Sequence, residues 1–358
     1  MPVPAAFDFE GPIANPAIDV AHIVYNELIS DATKQRYPRQ VFEAFDAYDD
    51  ARWLAERSRG GHSTGTTPLL VDCFAAVDGL GDYAFTELAM KRMESDMVYN
   101  PGAKRFLGSV RGRGPTYIVT SSYPAMPLIA AYDNGLGLRN VFTHGRQPNG
   151  EKSLQVHDEI DHRSPMTVLT AHPAELAQFL DEYLPACDNI LRLTGNGHAT
   201  HVASREHDEV FSRVTIPQLR RELEYMFLSQ KGVMGGHRKK HVLQSIAPDG
   251  NIAFMGDRIV DADALRFARY GFSINCTNRE ALQASKLNFV TDDIMTLYEL
   301  FNDVQGGMFT FESAAKRYAC DDLVIFTPGE IAECVDDVKK ENARMKAALK
   351  EQYAAASV

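Results

Sequence analysis

Val3-Pro4-Ala5-Ala6-Phe7-Asp8-Phe9-Glu10-Gly11 is the stretch whose reading decides the fold. The apolar run Val3 to Phe7 is short enough for a buried strand, and two carboxylates one residue apart follow it directly. In open α/β sheets, ligand crevices lie beyond the carboxyl ends of the strands. There, Asp8 and Glu10 can divide their work, one as nucleophile or metal ligand and the other as proton donor. Taken alone, a D-x-E-G string beside a strand also describes an ordinary turn. Its meaning therefore depends on what the rest of the chain sets beside it.

Working outward, short apolar runs alternate with helical patterns. Tyr117 to Thr120 is entered through Gly112-Arg113-Gly114-Pro115 and breaks into Ser121-Ser122-Tyr123-Pro124, with a helix expected over Pro124 to Asn134. Asn140 to His144 reads as a strand, as do Ile252 to Met255, Phe272 to Asn275 and Phe289-Val290. Helices are expected over Ala262 to Tyr270, closed by Gly271, and over Ile294 to Phe301. This rhythm predicts an α/β fold with a mostly parallel sheet covered on both faces.

Two stretches interrupt the rhythm. Residues 17–108 read as almost wholly helical, over Val20 to Ile29, Phe42 to Arg57, Pro68 to Val77 and Tyr83 to Met97, and are expected to form a helical cap over the sheet's active edge. Residues 147–235 form a second, polar and His-rich insertion ending in a helix from Ile216 to Ser229. The remaining pieces, 1–16, 109–146 and 236–327, make the core, and 328–358 a helical tail. In that tail, Lys339 to Gln352 mixes both charge signs, as a solvated face or an oligomer contact does.

The 358 residues exceed one ordinary core, which suits about two domains. The formal net charge of −11 argues against a general nucleic-acid binder. No apolar run approaches the roughly 18 residues of a membrane span, and the first residues lack the basic and apolar regions of a secretory signal. The five cysteines are scattered without a C-x-x-C pair, as in a reduced cytoplasmic protein.

Three further groups carry chemistry. Met255-Gly256-Asp257-Arg258-Ile259-Val260-Asp261 puts two acids four apart at a strand-to-helix junction. They suit one ligand for a hard cation such as Mg²⁺ and one orienting group, although a Gly-Asp turn with Asp261 as a helix cap has the same spacing. Lys239 opens a helical pattern about twenty residues upstream, where an ammonium could neutralise a phosphoryl group; the Lys239-Lys240 doublet leaves the register open. Thr120, with Ser121 and Ser122, offers hydroxyl and backbone N–H groups for a phosphate, or ordinary helix caps.

Taken in order, Asp8-x-Glu10-Gly11, Thr120, Lys239 and Gly256-Asp257-x-x-x-Asp261 resemble the haloacid dehalogenase (HAD) superfamily. Its motifs run D-x-D-G-[TS], Ser or Thr, Lys, and an acidic pair. The resemblance covers 1–16, 110–146 and 236–301, looks most like phosphoserine-phosphatase-type members, and implies a Rossmann-like core with an inserted cap. It implies that Asp8 attacks phosphorus, that Glu10 serves as acid and then base, and that Mg²⁺ binds Asp8, the Glu10 backbone carbonyl and Asp257. Thr120, Ser121 and Lys239 would hold the phosphate, and Asp261 would orient Lys239 or the metal shell.

Two departures stand out. Glu10 replaces the usual Asp, as in enolase-phosphatase-type members with D-x-E-G-T, and Pro12 replaces the usual Thr or Ser, removing a hydroxyl and an N–H. D-x-E-G-P is also similar to an archaeal HAD-like family assigned as a subunit of an energy-converting hydrogenase. The expectation is a Mg²⁺-dependent phosphatase acting on a small phosphorylated metabolite, with a non-catalytic HAD-like binding or assembly subunit as the alternative. A homo-oligomer is compatible with either. Six of the eleven histidines fall in 151–210, including His157, His162, His198, His201 and His207, in no spacing typical of zinc sites; His62 lies in the Gly-rich loop of the cap.

Overall fold

The structure is a computed structural model and describes residues 2–15, 19–56, 65–94, 98–143, 166–194, 209–229 and 233–356. His62, His157, His162, His198, His201 and His207 lie outside the described residues, whereas His172 lies within them. In chain order the first elements are β1 (Ala5–Phe7), α1 (Val20–Leu28), α2 (Asp31–Arg36), α3 (Arg39–Glu56), α4 (Thr67–Val77) and α5 (Asp82–Met93). There follow α6 (Ala103–Arg113), β2 (Thr116–Val119), α7 (Ala125–Asp133), β3 (Val141–Phe142), a single turn at Met166–Leu169, α8 (Pro173–Thr194) and α9 (Pro217–Leu223). The last third holds α10 (His237–Ile246), β4 (Ala253–Gly256), α11 (Ala262–Phe267), β5 (Tyr270–Ile274), α12 (Arg279–Ala284) and β6 (Leu287–Val290). It closes with α13 (Tyr298–Gln305), α14 (Phe311–Tyr318), β7 (Val324–Phe326) and α15 (Pro328–Ala356).

The strands form one seven-stranded sheet in the order β3-β2-β1-β4-β5-β6-β7. Every pairing is parallel except that of β6 with the edge strand β7. The first six strands follow the doubly wound order 3-2-1-4-5-6, which reverses direction between β1 and β4 and leaves a crevice at their carboxyl ends. Burial explains why β1 is central: Ala5, Ala6 and Phe7 are all fully buried, as are Ala253, Phe254 and Met255 of β4. Strands covered on both faces need continuous apolar residues rather than alternation. Under β1, the Phe7, Phe106 and Phe301 rings meet at centroid distances of 5.3 to 5.5 Å, joining the sheet to α6 and α13.

The chain divides into two compact units. The first comprises residues 1–19, 90–143 and 236–358 and contains the whole sheet. The second comprises 20–89 and 144–235, so both interruptions of the α/β rhythm fall largely into one unit. Its core is aromatic: Phe45 and Tyr48 of α3 pack with Phe179 and Tyr183 of α8 and with Phe211 and Phe227. Residues 90–108, assigned to the cap on sequence, join the sheet unit instead, because α6 supplies Phe106 to the core beneath β1.

Several expectations need correction. The helix expected to run to Tyr270 ends at Phe267, and Gly271 lies inside β5 rather than capping that helix. A Cβ at Gly271 would collide with the Leu265 carbonyl, so the glycine permits the close approach of α11 to β5. The edge strand β7 and the helices α6 and α14 had no sequence expectation. Nor is the tail a solvated face: α15 buries Ile331, Val338, Asn342 and Leu349 against the sheet unit. Of the cysteines, all are free; Cys73, Cys187 and Cys276 are buried and Cys320 and Cys334 exposed. Among the described residues no helix is long and apolar enough to cross a membrane.

Candidate active site

The register of the central strands determines what can meet at their ends. Phe7 pairs with Ile118 of β2 and with Met255 of β4, so the strands leave the sheet nearly level. Asp8 follows β1, Thr120 follows β2 and Asp257 follows β4. All three therefore stand at the carboxyl edge beside the reversal of strand order. The Asp8 backbone N–H donates to the Met255 carbonyl at 2.8 Å, fixing the first of these to β4. Asp8 is 2% exposed, and its Oδ1 accepts the Phe9 N–H at 2.8 Å.

Lys239 holds the centre. It sits in the first turn of α10, is fully buried, and places its Nζ 2.9 Å from Asp8 Oδ2 and 2.6 Å from Asp261 Oδ1. Lys240 is half-buried, so the open register of the doublet resolves to Lys239. Burial alone would lower the lysine's pKa, but the adjoining Asp261 and Asp8 outweigh it and hold the ammonium charged. Asp261 is fixed further: its Oδ2 accepts the backbone N–H groups of Asp257 and Arg258, both at 3.0 Å. Burial pushes its carboxyl up to about 7, Asp8 and Asp257 add to the rise, and Lys239 opposes it. With two N–H groups and an ammonium on its oxygens, the ionised form is the one this geometry serves.

Asp8, Asp257 and Asp261 each bring a carboxylate oxygen within 4.8 Å of the others. Asp257 is 2% exposed; its Oδ2 accepts from Lys346 Nζ at 2.6 Å, while its Oδ1 is buried with no hydrogen-bond partner among the described residues. A buried unpaired carboxylate oxygen is costly unless a ligand meets it. Three hard oxygen donors around it suit a small divalent cation. Two glycines make the cluster possible. Gly11 has φ +95° and lies so close to the Asp257 carboxyl that a Cβ would collide with it, and a Cβ at Gly256 would collide with Asp261. Only glycine both adopts that φ freely and leaves this room.

Glu10 sits apart from the lysine, with its side chain 14% exposed and its Oε2 3.8 Å from Arg258. Burial first, then the neighbouring Asp19 and Asp8 carboxylates, push its carboxyl up to about 8, against the pull of Arg258. At neutral pH it is mainly protonated and able to donate. Arg258 is held in turn by Asp19 at 3.0 Å. The Ser122 hydroxyl lies beside Glu10 without completing a hydrogen bond.

Thr120 is fully buried, and its Oγ1 accepts the Ser122 N–H at 3.1 Å. Ser121 is half-buried on the next residue. Both stand on the edge beside Asp8, but no described contact joins either to the Asp8–Lys239–Asp261 group. Three members of the site escaped sequence reading as such. Arg258 lies inside a quoted motif, and Asn100, whose Nδ2 holds the Gly11 and Pro12 carbonyls, had no signal. Lys346 lies in the charged tail, where nothing local distinguishes it from Lys339, Lys340 or Lys350.

Fold and site together define a mixed α/β protein with a mostly parallel sheet and an acidic cluster at its reversal point. No family model matches the chain, and its sequence matches no curated protein. Among solved structures, the gene product AF1437 of Archaeoglobus fulgidus is similar, with a TM-score of 0.66 and 19% identity over 98% of this chain and 97% of that one. At that identity the likeness is one of fold.

Proposed function

We propose that this chain is a Mg²⁺-dependent phosphatase of HAD type that hydrolyses a small phosphorylated metabolite through an aspartyl-phosphate. The observation that carries the reading is the buried Lys239 ammonium, bridging Asp8 at 2.9 Å and Asp261 at 2.6 Å at the carboxyl ends of β1 and β4. A lysine so placed orients the Asp8 carboxylate as a nucleophile and offers positive charge to a transferring phosphoryl group. In the proposed reaction, an Asp8 oxygen bonds to phosphorus as the bond to the leaving oxygen breaks. Glu10, protonated at neutrality, gives its proton to that oxygen. The resulting carboxylate then takes a proton from water, which attacks the acyl phosphate, releases inorganic phosphate and restores Asp8.

Asp8, Asp257 and the Glu10 backbone carbonyl would hold the cation, and the unpartnered Asp257 Oδ1 fits that role. Bound there, Mg²⁺ would supply charge stabilisation at the phosphoryl oxygens. Thr120 and Ser121 would receive those oxygens from the end of β2. Substrate choice would rest with residues outside the motifs.

A second reading, a non-catalytic HAD-like binding or assembly subunit, draws on Lys346, which already meets Asp257, and on Pro12 in the first loop. Phosphate release across a panel of phosphorylated metabolites with Mg²⁺ separates the two. Turnover by wild type and none by folded Asp8→Asn is the expected outcome. A silent panel with measurable Mg²⁺ binding favours the second reading, and turnover retained in Asp8→Asn excludes Asp8 as nucleophile.

A further inference from the structure

The C-terminal helix reaches into the acidic cluster, which nothing in its own sequence announces. Asn342 of α15 is fully buried and exchanges hydrogen bonds with Asn288 of β6, at 2.9 Å from its own Nδ2 and 3.3 Å to its Oδ1. Asn288 is tied in turn to Ser273 of β5 at 3.0 Å. This polar anchor fixes the helix's register on the sheet unit. One helical turn further on stands Lys346. Its Nζ lies 2.6 Å from Asp257 Oδ2, with the side chain 19% exposed against 2% for the aspartate.

Charge decides what this contact does. The three clustered carboxylates, Asp8, Asp257 and Asp261, share two ammonium groups, Lys239 and Lys346. One negative charge is left over, too little for a divalent cation. Without Lys346 two remain, which matches one. Lys239 cannot be the group that yields, since it is fully buried between two acids. Lys346 is the partly exposed member, with a flexible four-carbon stem and water within reach.

We propose that Lys346 is a resident counter-ion of Asp257 that a divalent cation must displace, so that the C-terminal helix sets the affinity of the site for its metal. The inference rests on the metal-dependent reading given above. Lys346 is here a positioning residue: it acts on Asp257 and through it on the cation. Without metal it neutralises a buried carboxylate that would otherwise stand bare. With metal, the freed ammonium stays tethered at the rim by the Asn342 anchor and re-engages when the ion leaves.

The test is Mn²⁺ and Mg²⁺ binding to the full chain, read by calorimetry and by electron paramagnetic resonance of Mn²⁺, for wild type, Lys346→Met, Lys346→Gln and the exposed-site control Lys350→Met. Removing a positive charge a few ångströms from the ion is expected to tighten binding about tenfold or more in both Lys346 variants. Lys350→Met should stay at the wild-type affinity. Unchanged or weaker binding in the folded Lys346 variants overturns the inference while leaving the metal reading standing. Absence of binding in wild type and every variant overturns both. A thermal melt gives a second measure: cation should raise the midpoint of Lys346→Met more than that of wild type, and equal shifts count against the proposal.

Discussion

At the scale of single residues, the site consists of charges that tolerate burial only together. Lys239 is wholly enclosed with Asp8 and Asp261, so Lys239→Met leaves two carboxylates facing each other without their cation. Breaking a buried pair from one side costs about 3–5 kcal/mol, and denaturant unfolding of the metal-free variant should show a loss of that order. Asp8→Asn is a gentler change, since Lys239 keeps Asp261 and the new amide fills the same space. We expect its unfolding midpoint to stay near that of wild type while turnover falls by at least about a thousandfold; a larger residual rate counts against nucleophilic Asp8. Glu10→Gln keeps shape but removes the transferable proton, and should cost about 10²–10⁴ in turnover on substrates with poor leaving groups. The loss should be smaller with p-nitrophenyl phosphate, whose leaving group needs less protonation. The chain spells out Asp8, Glu10, Asp257 and Asp261 because strand-end acids follow short apolar runs that can be recognised locally. The choice between Lys239 and Lys240 cannot be spelled out that way, since it depends on how far α10 is rotated against the sheet.

Elements show why some of the fold was readable and some was not. The central strands announce themselves as continuous apolar runs, as burial on both faces requires, although their ends shift by a residue or two. The edge strand β7 does not: Val324 is exposed and only Ile325 is well buried, so Val324–Phe326 carries little pattern. Gly271 departs from its sequence expectation for a related reason. A glycine after a helical pattern ordinarily caps it, and only the packing of α11 on β5 shows that this one serves a close approach instead. The turn after β1 offers a direct measurement. Gly11→Ala must strain a φ of +95° and push the Asp257 carboxyl aside. It should destabilise the protein by about 1–3 kcal/mol and weaken Mg²⁺ binding at the same time. A variant that lost stability but bound the ion normally would show that Asp257 is not a ligand.

At the scale of the whole molecule, the chain returns to its sheet at the very end. The α/β core is legible in residues 1–16, 109–146 and 236–327, but 328–358 reads as a separable tail because its charges alternate and its apolar residues are spread thinly. The structure makes it part of the core through only a few side chains. Ile331, Val335, Val338 and Leu349 are each less than a tenth exposed, and Asn342 is sealed against Asn288. Full burial of one such aliphatic side chain contributes about 1.5–3 kcal/mol, and the Asn pair leaves an unsatisfied amide at Asn288 if its partner is removed. Together these exceed much of the roughly 5–15 kcal/mol that a whole domain has to spare. A chain ending at Thr327 is therefore expected to lose its cooperative thermal transition and its near-ultraviolet circular dichroism, whereas one ending at Tyr353 should melt as wild type does. Asn342→Ala makes the same case without deleting anything: the midpoint should fall by about 1–3 kcal/mol equivalent as Asn288 loses its partner. If the chain ending at Thr327 melts cooperatively at the wild-type midpoint, α15 is only an appendage, and the placement of Lys346 against Asp257 has no anchor to hold it there.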